Sequence, residues 1–275
     1  MQNYEWLKNK RVIIVGASDG IGKYLALKLI LQFKCYVLGI SNNQKQMEQF
    51  SEKLEEFKDN FTFEIFDATN EKAWQEFATK LSENKTKIDV LINCVGELPE
   101  FKRFENYTQK DLNKTISANF FSCVFSIRHI LPFLKQSNEP AIVNISCLSA
   151  SLSVGGTSIY SASKSALKSY TQILGAELDD KFYVSLVLLG TTNTNFYKNQ
   201  NGEVIKKLQH KAMPPRKASQ IIIDGMCKKK RRIVVGFKTY ALDGLCRMFP
   251  SLSVGLIKRW LKHKKINLLQ EENKQ

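Results

Sequence analysis

Seven short runs of almost uninterrupted apolar residues alternate with longer stretches in which apolar residues recur every three or four positions. That alternation constrains the fold more than any other feature of the chain. The runs lie at 11–15, 35–40, 61–66, 88–93, 141–145, 183–189 and 233–235. Between them, Met47, Phe50, Leu54 and Phe57 form a helical stripe, as do Trp74, Phe77, Ala78 and Leu81. Further stripes are Ile116, Phe120, Val124, Ile127 and Leu131, then Ala166, Tyr170, Ile173 and Leu174. A strand that is apolar on both faces must be covered on both faces, which implies a parallel sheet between two layers of helices. The order predicts an α/β fold with a doubly wound, seven-stranded parallel sheet. No internal repeat or low-complexity linker interrupts the 275 residues, a length that can bury one full core. The expectation is one domain over 1–238, with 239–275 as a C-terminal helical extension and not a second domain.

The first run is followed at once by Gly16-Ala17-Ser18-Asp19-Gly20-Ile21-Gly22, which opens the helix through Tyr24-Leu25-Ala26-Leu27. Glycines permit a tight turn and let backbone approach a pyrophosphate, while the helix N-terminus offers unpaired N–H groups and a favourable dipole. A glycine turn in this context predicts a dinucleotide site in a Rossmann-type domain. Farther on stands Tyr160-Ser161-Ala162-Ser163-Lys164. Four residues apart on a helix, the two functional groups share a face. A free phenol, with a pKa near 10, is a poor acid–base group at neutral pH, and a neighbouring ammonium favours its ionised form.

The glycine turn, Asn93-Cys94-Val95-Gly96 after the fourth run and Tyr160-x-x-x-Lys164 together resemble the short-chain dehydrogenase/reductase superfamily, from about residue 10 to residue 197. The resemblance implies hydride transfer between a nicotinamide and a carbonyl or secondary alcohol. It places Asp67 at the adenine, Asn93 and Gly96 along the cofactor, and Gly190, Thr192 and Thr194 at the nicotinamide amide. Leu189 stands where the family has proline. Ser41, directly after the second run, is not the acid that favours NAD(H), and the arginine of many NADPH users is missing both there and before Gly20, where Asp19 stands. NADP(H) is favoured, with NAD(H) as the alternative.

By the same resemblance Tyr160 is the proton donor, Lys164 lowers its pKa and holds the nicotinamide ribose, and Asn119 anchors a proton-relay water. The fourth member should be a serine, but Asn144-Ile145-Ser146-Cys147 puts a thiol there. Ser146 is one residue early and should face the opposite side of the strand. Ser149 has the right parity but lies past the expected strand end. A thiol is a weaker donor than a hydroxyl. Three readings stay open: a working reductase with Cys147 or a shifted Ser149 as donor, a cofactor-binding sensor or scaffold, and a thiol reactive in its own right.

The net charge of +15 is concentrated late, with thirteen Lys and Arg against three acids from residue 228 onward. The cluster at 228–232 abuts a strand and reads as a solvated loop, with no nucleic-acid partner. In the tail, Tyr240, Leu242, Leu245, Met248, Phe249, Leu252, Val254, Leu256, Ile257, Trp260 and Leu261 supply apolar surface, and Arg247, Lys258, Arg259, Lys262, Lys264 and Lys265 supply charge. Pro250 should divide it into two helices. Such a segment fits an anionic membrane interface or a helical cap packed on the substrate pocket or a partner subunit. Six cysteines without a Cys-x-x-Cys pair, and His129, His210 and His263 without clustering, point to reduced thiols and no metal. No apolar run reaches the ~18 residues of a membrane span, and Met1 to Lys10 is polar. The remaining expectations are a cytoplasmic location or the membrane surface, a homo-oligomer, and a variable lid over 194–215.

Overall fold

In a computed structural model of the chain, which describes residues 5–152, 154–197, 200 and 212–263, the apolar runs pair as seven parallel strands. These are β1 Arg11–Val15, β2 Tyr36–Ser41, β3 Phe61–Ile65, β4 Val90–Asn93, β5 Ala141–Cys147, β6 Tyr183–Leu189 and β7 Arg232–Val235. Their order is β3-β2-β1-β4-β5-β6-β7. Val12 of β1 lies opposite Val37 on one side and Val90 on the other. The loops leaving the C-terminal ends of β1 and β4 therefore diverge, and a crevice opens where the strand order reverses.

Successive strand residues point to opposite faces. Val12 and Ile14 pack with Val90 and Ile92 under α1 (Gly20–Phe33), α2 (Gln44–Glu52) and α7 (Pro215–Cys227). Ile13 and Val15 pack with Leu91 and Ile142 under α3 (Glu71–Glu83), α5 (Ser122–Leu134) and α6 (Ser158–Glu177). Ile13, Ile14, Leu91 and Ile142 are fully buried, each stabilising the fold by roughly 1.5–3 kcal/mol.

Two boundaries matter for the site. The fifth strand continues beyond the expected Ile145 to Cys147, so position 147 is the last strand residue and Ser149 sits on the 3₁₀ turn Leu148–Ala150. The helical stripe that begins at Ile116 is preceded by α4 (Gln109–Ile116), which starts where Thr108 and Asp111 form a reciprocal capping box. It passes through a π turn, Ser117–Phe121, into α5. The whole stretch Gln109–Leu134 is long and apolar enough to cross a membrane by length and composition. Its residues Cys123, Ile127, Ile130 and Leu134 are instead buried in the domain.

The tail forms α8 (Phe237–Met248) and α9 (Pro250–His263), divided at Pro250 as expected. Arg232 Nη2 of β7 donates to both carboxylate oxygens of buried Asp243 of α8, at 2.7 and 2.6 Å. Lid residues 198, 199 and 201–211, with His210 among them, lie outside the described residues, as do Lys264, Lys265 and the side chains of Trp260 and Leu261. All six cysteines are free thiols.

Candidate active site

The turn after β1 is built as a cradle. Gly16 and Gly20 have φ of +87° and +55°, conformations that side chains disfavour. A Cβ on Gly16 would meet the Cys94 carbonyl group at 3.1 Å, and one on Gly22 would lie 2.0 Å from the Gly16 carbonyl oxygen. Asp19 precedes α1 without capping it, leaving the first-turn amides free of any side-chain cap. Bare backbone, a helix N-terminus and glycine-enforced approach fit a dinucleotide pyrophosphate.

From this turn one cleft of about 1330 Å³ extends across the C-terminal strand ends. It holds Gly16, Ser18, Asp19, Gly20 and Ile21 at one wall, Ser41 and Asp67 at the ends of β2 and β3, and Gly96 after β4. Cys147, Tyr160, Lys164, Gly190, Thr192 and Thr194 line its other end. Ser41 Oγ donates to Ser18 Oγ at 2.9 Å and accepts from the Asn43 amide at 3.0 Å. Asp67 accepts from the Thr69 amide and hydroxyl, and Asp19 accepts from Asn195 Nδ2 at 2.9 Å.

Helix α6 carries Tyr160 and Lys164 one turn apart, both buried. Ser146 is turned away from the thiol side, and its hydroxyl donates to the Lys164 carbonyl oxygen at 3.1 Å, fixing α6 against β5. Lys164 Nζ is 3.5 Å from the Ile145 carbonyl oxygen. A Cβ at Gly96 would lie 2.8 Å from Asn119 Oδ1 and 3.0 Å from that ammonium, so both side chains would have to shift to admit one. The Tyr160 ring packs with Leu98 and Phe101, and Cys147, Val154, Phe196 and Tyr197 complete an apolar wall. Cys147 Sγ and Ser149 Oγ are hydrogen-bonded at 2.5 Å.

The phenol differs from the sequence expectation. Burial pushes its pKa well above the ordinary 10, and Cys147 adds to the rise, while a hydrogen bond from Ser149 works against it. Burial therefore decides the direction, contrary to the lowering expected from Lys164. The ammonium instead opposes the burial that raises the Cys94 thiol to about 12.

Three expected site residues lie off the cleft wall. Gly22 sits beneath the turn, where it spares the Gly16 carbonyl. Asn93 points into the domain: its Nδ2 donates to Asn144 Oδ1 at 2.9 Å and its Oδ1 accepts from Ser126 at 2.7 Å. Asn119, within the π turn, spends its amide on Glu97, accepting from the backbone N–H at 2.9 Å and donating to the carbonyl at 2.8 Å. It thereby pins the loop after Gly96. Conversely, Lys110, Asn113, Lys114 and Ser117 line the cleft. Their spacing is that of one helical face, a polar stripe overlooked beside the apolar one.

A sequence profile described as short chain dehydrogenase matches residues 10–204. The chain is 29% identical over 261 residues to 11-beta-hydroxysteroid dehydrogenase 1A of Arabidopsis thaliana, covering 88% of this chain and 73% of that protein. It is 23% identical over 261 residues to 3-ketodihydrosphingosine reductase of Bos taurus, covering 90% and 78%. Among solved structures, a Shigella flexneri protein described as a short-chain dehydrogenase and complexed with NADP superposes with a TM-score of 0.74 at 20% identity, covering 85% of this chain and 97% of that one.

Proposed function

The chain belongs to the short-chain dehydrogenase family, enzymes acting on CH–OH or C=O groups, and on that premise we propose an NADP(H)-dependent reductase of apolar, lipid-like carbonyl compounds. The observation that carries this reading is the position of Tyr160, where the polar cleft meets the apolar wall. Gly16, Gly20 and the α1 N-terminus would hold the pyrophosphate, and Gly190, Thr192 and Thr194 the nicotinamide end. When bound, the nicotinamide supplies or accepts the hydride. Tyr160 donates its phenolic proton to the substrate oxygen, and its raised pKa keeps it protonated for that task at neutral pH. Lys164, one turn along the same helix and lining the same cleft, would stabilise the charge of the phenolate left behind. Leu98, Phe101, Phe196 and Tyr197 exclude water and favour an apolar substrate. The names of the plant and bovine relatives, a hydroxysteroid dehydrogenase and a ketosphingosine reductase, support such a substrate.

Preference for NADP(H) rests on the end of β2. There the Ser18 hydroxyl, Asn42, Asn43 and the N-terminus of α2 offer donors, and no carboxylate of β2 opposes a 2′-phosphate. The NADP complex of the Shigella flexneri protein supports the same choice. NADPH and NADH oxidation against long-chain ketones, ketosteroids and small polar aldehydes tests both points. Turnover of the apolar ketones with NADPH is expected. Faster turnover with NADH, or of the polar aldehydes alone, contradicts the proposal.

The reading includes a lipid surface as partner. Helix α8 is inverted: Thr239, Asp243 and Cys246 face the domain, while Phe237, Tyr240 and Met248 are 87%, 68% and 72% exposed. Phe249, Leu252 and Leu256 extend the exposed apolar surface onto α9. Lys238, Arg247, Lys258, Arg259 and Lys262 are exposed on the same helices, whose one described acid, Asp243, is held by Arg232. A second copy would oppose cations with cations. An anionic bilayer complements both features, at about 1 kcal/mol per basic residue. Sedimentation should show binding to phosphatidylserine-containing vesicles, weakened by salt and by Phe237→Ser with Met248→Ser. Equal binding to pure phosphatidylcholine, or none to either, removes the lipid surface.

A further inference from the structure

Most of the apolar wall around Tyr160 comes from two separate loops, and a buried side chain joins them. Leu98 and Phe101 belong to the loop after β4, whereas Phe196 and Tyr197 belong to the turn after Thr194. Gln200 follows that turn and is only 7% exposed. Its backbone N–H donates to the Tyr197 carbonyl oxygen at 3.0 Å, while its side chain reaches the other loop. There Oε1 accepts from the Phe101 N–H at 3.0 Å, and Nε2 donates to the Pro99 carbonyl oxygen at 2.8 Å. A primary amide offers a donor and an acceptor together, so it answers both backbone groups at once. A carboxylate has no donor for Pro99, and a thioether satisfies neither group well.

The loop after β4 does not depend on this contact. Asn119 holds it at Glu97, and the Tyr107 hydroxyl holds it at Glu100, donating to the carbonyl oxygen at 3.1 Å. The segment from Gly190 to Thr194 is anchored elsewhere as well. The Met213 N–H donates to the Thr191 carbonyl oxygen at 3.0 Å, and the Asn193 N–H to the Met213 carbonyl oxygen at 2.9 Å. What Gln200 adds is the attachment of Phe196 and Tyr197 to the opposite side of the wall. Phe196 in turn packs on the Tyr160 ring, with centroids 5.9 Å apart.

We propose that Gln200 is the positioning residue that closes this wall and thereby selects carbonyl compounds with a long apolar chain over short ones. This rests on the reading of the site as a reductase of apolar carbonyl compounds. A long chain gains from every methylene the wall shields from water, and a short one has few to shield. Letting the two sides part therefore weakens the long substrate most.

Gln200→Met keeps the length of the buried stem and removes both side-chain hydrogen bonds. In NADPH-driven reduction it should lower kcat/KM for a long-chain methyl ketone, relative to acetone, by at least roughly tenfold, the scale of one lost methylene contact. The loss should lie in KM, with NADPH affinity by fluorescence unchanged. Gln200→Glu can still accept from Phe101 but opposes the Pro99 carbonyl, so it should show the same split, and it carries the test should Gln200→Met not fold. Chymotrypsin should also cut the NADPH-bound variants after Phe196 and Tyr197 faster than the wild type. An unchanged ratio of the two ketones overturns the proposal, as does a loss equal on both, which a merely structural residue would give. Wild-type cleavage rates in the variants overturn it too. If the wild type reduces neither ketone, the reductase reading fails and the selectivity with it, and faster cleavage of the variants then shows that the fault is not in the contact between the loops.

Discussion

Replacing Asn93 with alanine separates a structural amide from a cofactor contact. Asn93 and Asn144 are buried side by side on β4 and β5, and a chain of hydrogen bonds runs Ser126 to Asn93 to Asn144 to Thr171 at 2.7, 2.9 and 2.9 Å. The chain ties α5, both strands and α6 together through the sheet. Alanine removes two of these bonds. Ser126 keeps a second acceptor, the Cys123 carbonyl oxygen at 2.9 Å, but Asn144 Oδ1 is left buried without its donor. An orphaned buried acceptor costs about 1–3 kcal/mol, and the net loss of a typical bond about 1 kcal/mol, so the substitution should destabilise by roughly 2–4 kcal/mol. In a protein of this size that lowers the melting temperature by roughly 5–15 °C. Circular dichroism melting beside NADPH titration reads both properties. The expected result is a lower melting temperature with NADPH affinity unchanged. An unchanged melting temperature with weaker NADPH binding would instead place Asn93 at the cofactor.

Other perturbations follow from the same geometry. Gly22→Ala sets a Cβ 2.0 Å from the Gly16 carbonyl oxygen, so it should cost about 1–3 kcal/mol in urea unfolding and weaken NADPH binding as the turn shifts. Full retention of both would contradict the packing of the turn. Asp243→Ala strands Arg232, whose Nε already lacks a partner. Breaking a buried pair typically costs about 3–5 kcal/mol, and partial exposure of Arg232 places the expected loss at the low end. An unchanged urea midpoint would show that the pair contributes nothing. Burial raises Tyr183 and Tyr197 to about 12 from 10, and Cys35 and Cys94 to about 12 from 9. The unfolded chain therefore releases these protons first, and stability present below about pH 9 is lost as pH rises toward 12. Each group contributes up to about 1.4 kcal/mol per pH unit across its window, so a urea midpoint that stays level above pH 9 would disprove the burial assignment.

The doubly wound sheet was legible because strands buried on both faces leave near-continuous apolar runs, and Arg11–Val15 and Tyr183–Leu189 lie where those runs place them. The glycine turn was legible because its demands are local: two positive φ angles and one backbone contact leave no other residue type. Asn93 was not, since whether an amide at a strand end meets ligand or neighbouring strand depends on Asn144, 51 residues away. Asn119 sits in a π turn, which adds a residue to the helical turn and shifts every later position away from regular spacing. Lys110 and Ser117 escaped notice because a polar helical stripe usually faces water. The Tyr160–Lys164 spacing was plain in the sequence, but the depth of the phenol, and hence the direction of its pKa, belongs to the packing of Phe196, Tyr197 and Cys147 around it.

In the proposed reaction Tyr160 moves the proton of a nicotinamide-dependent reduction at the end of this cleft. Tyr160→Phe keeps the ring that packs on Phe196 at 5.9 Å and removes only the hydroxyl, so folding should survive. The decisive measurement is NADPH binding and NADPH-driven ketone reduction in the wild type and this variant. NADPH affinity should stay unchanged while turnover falls by at least roughly 10²-fold, the range of a lost acid–base group. Equal turnover in both proteins would contradict it.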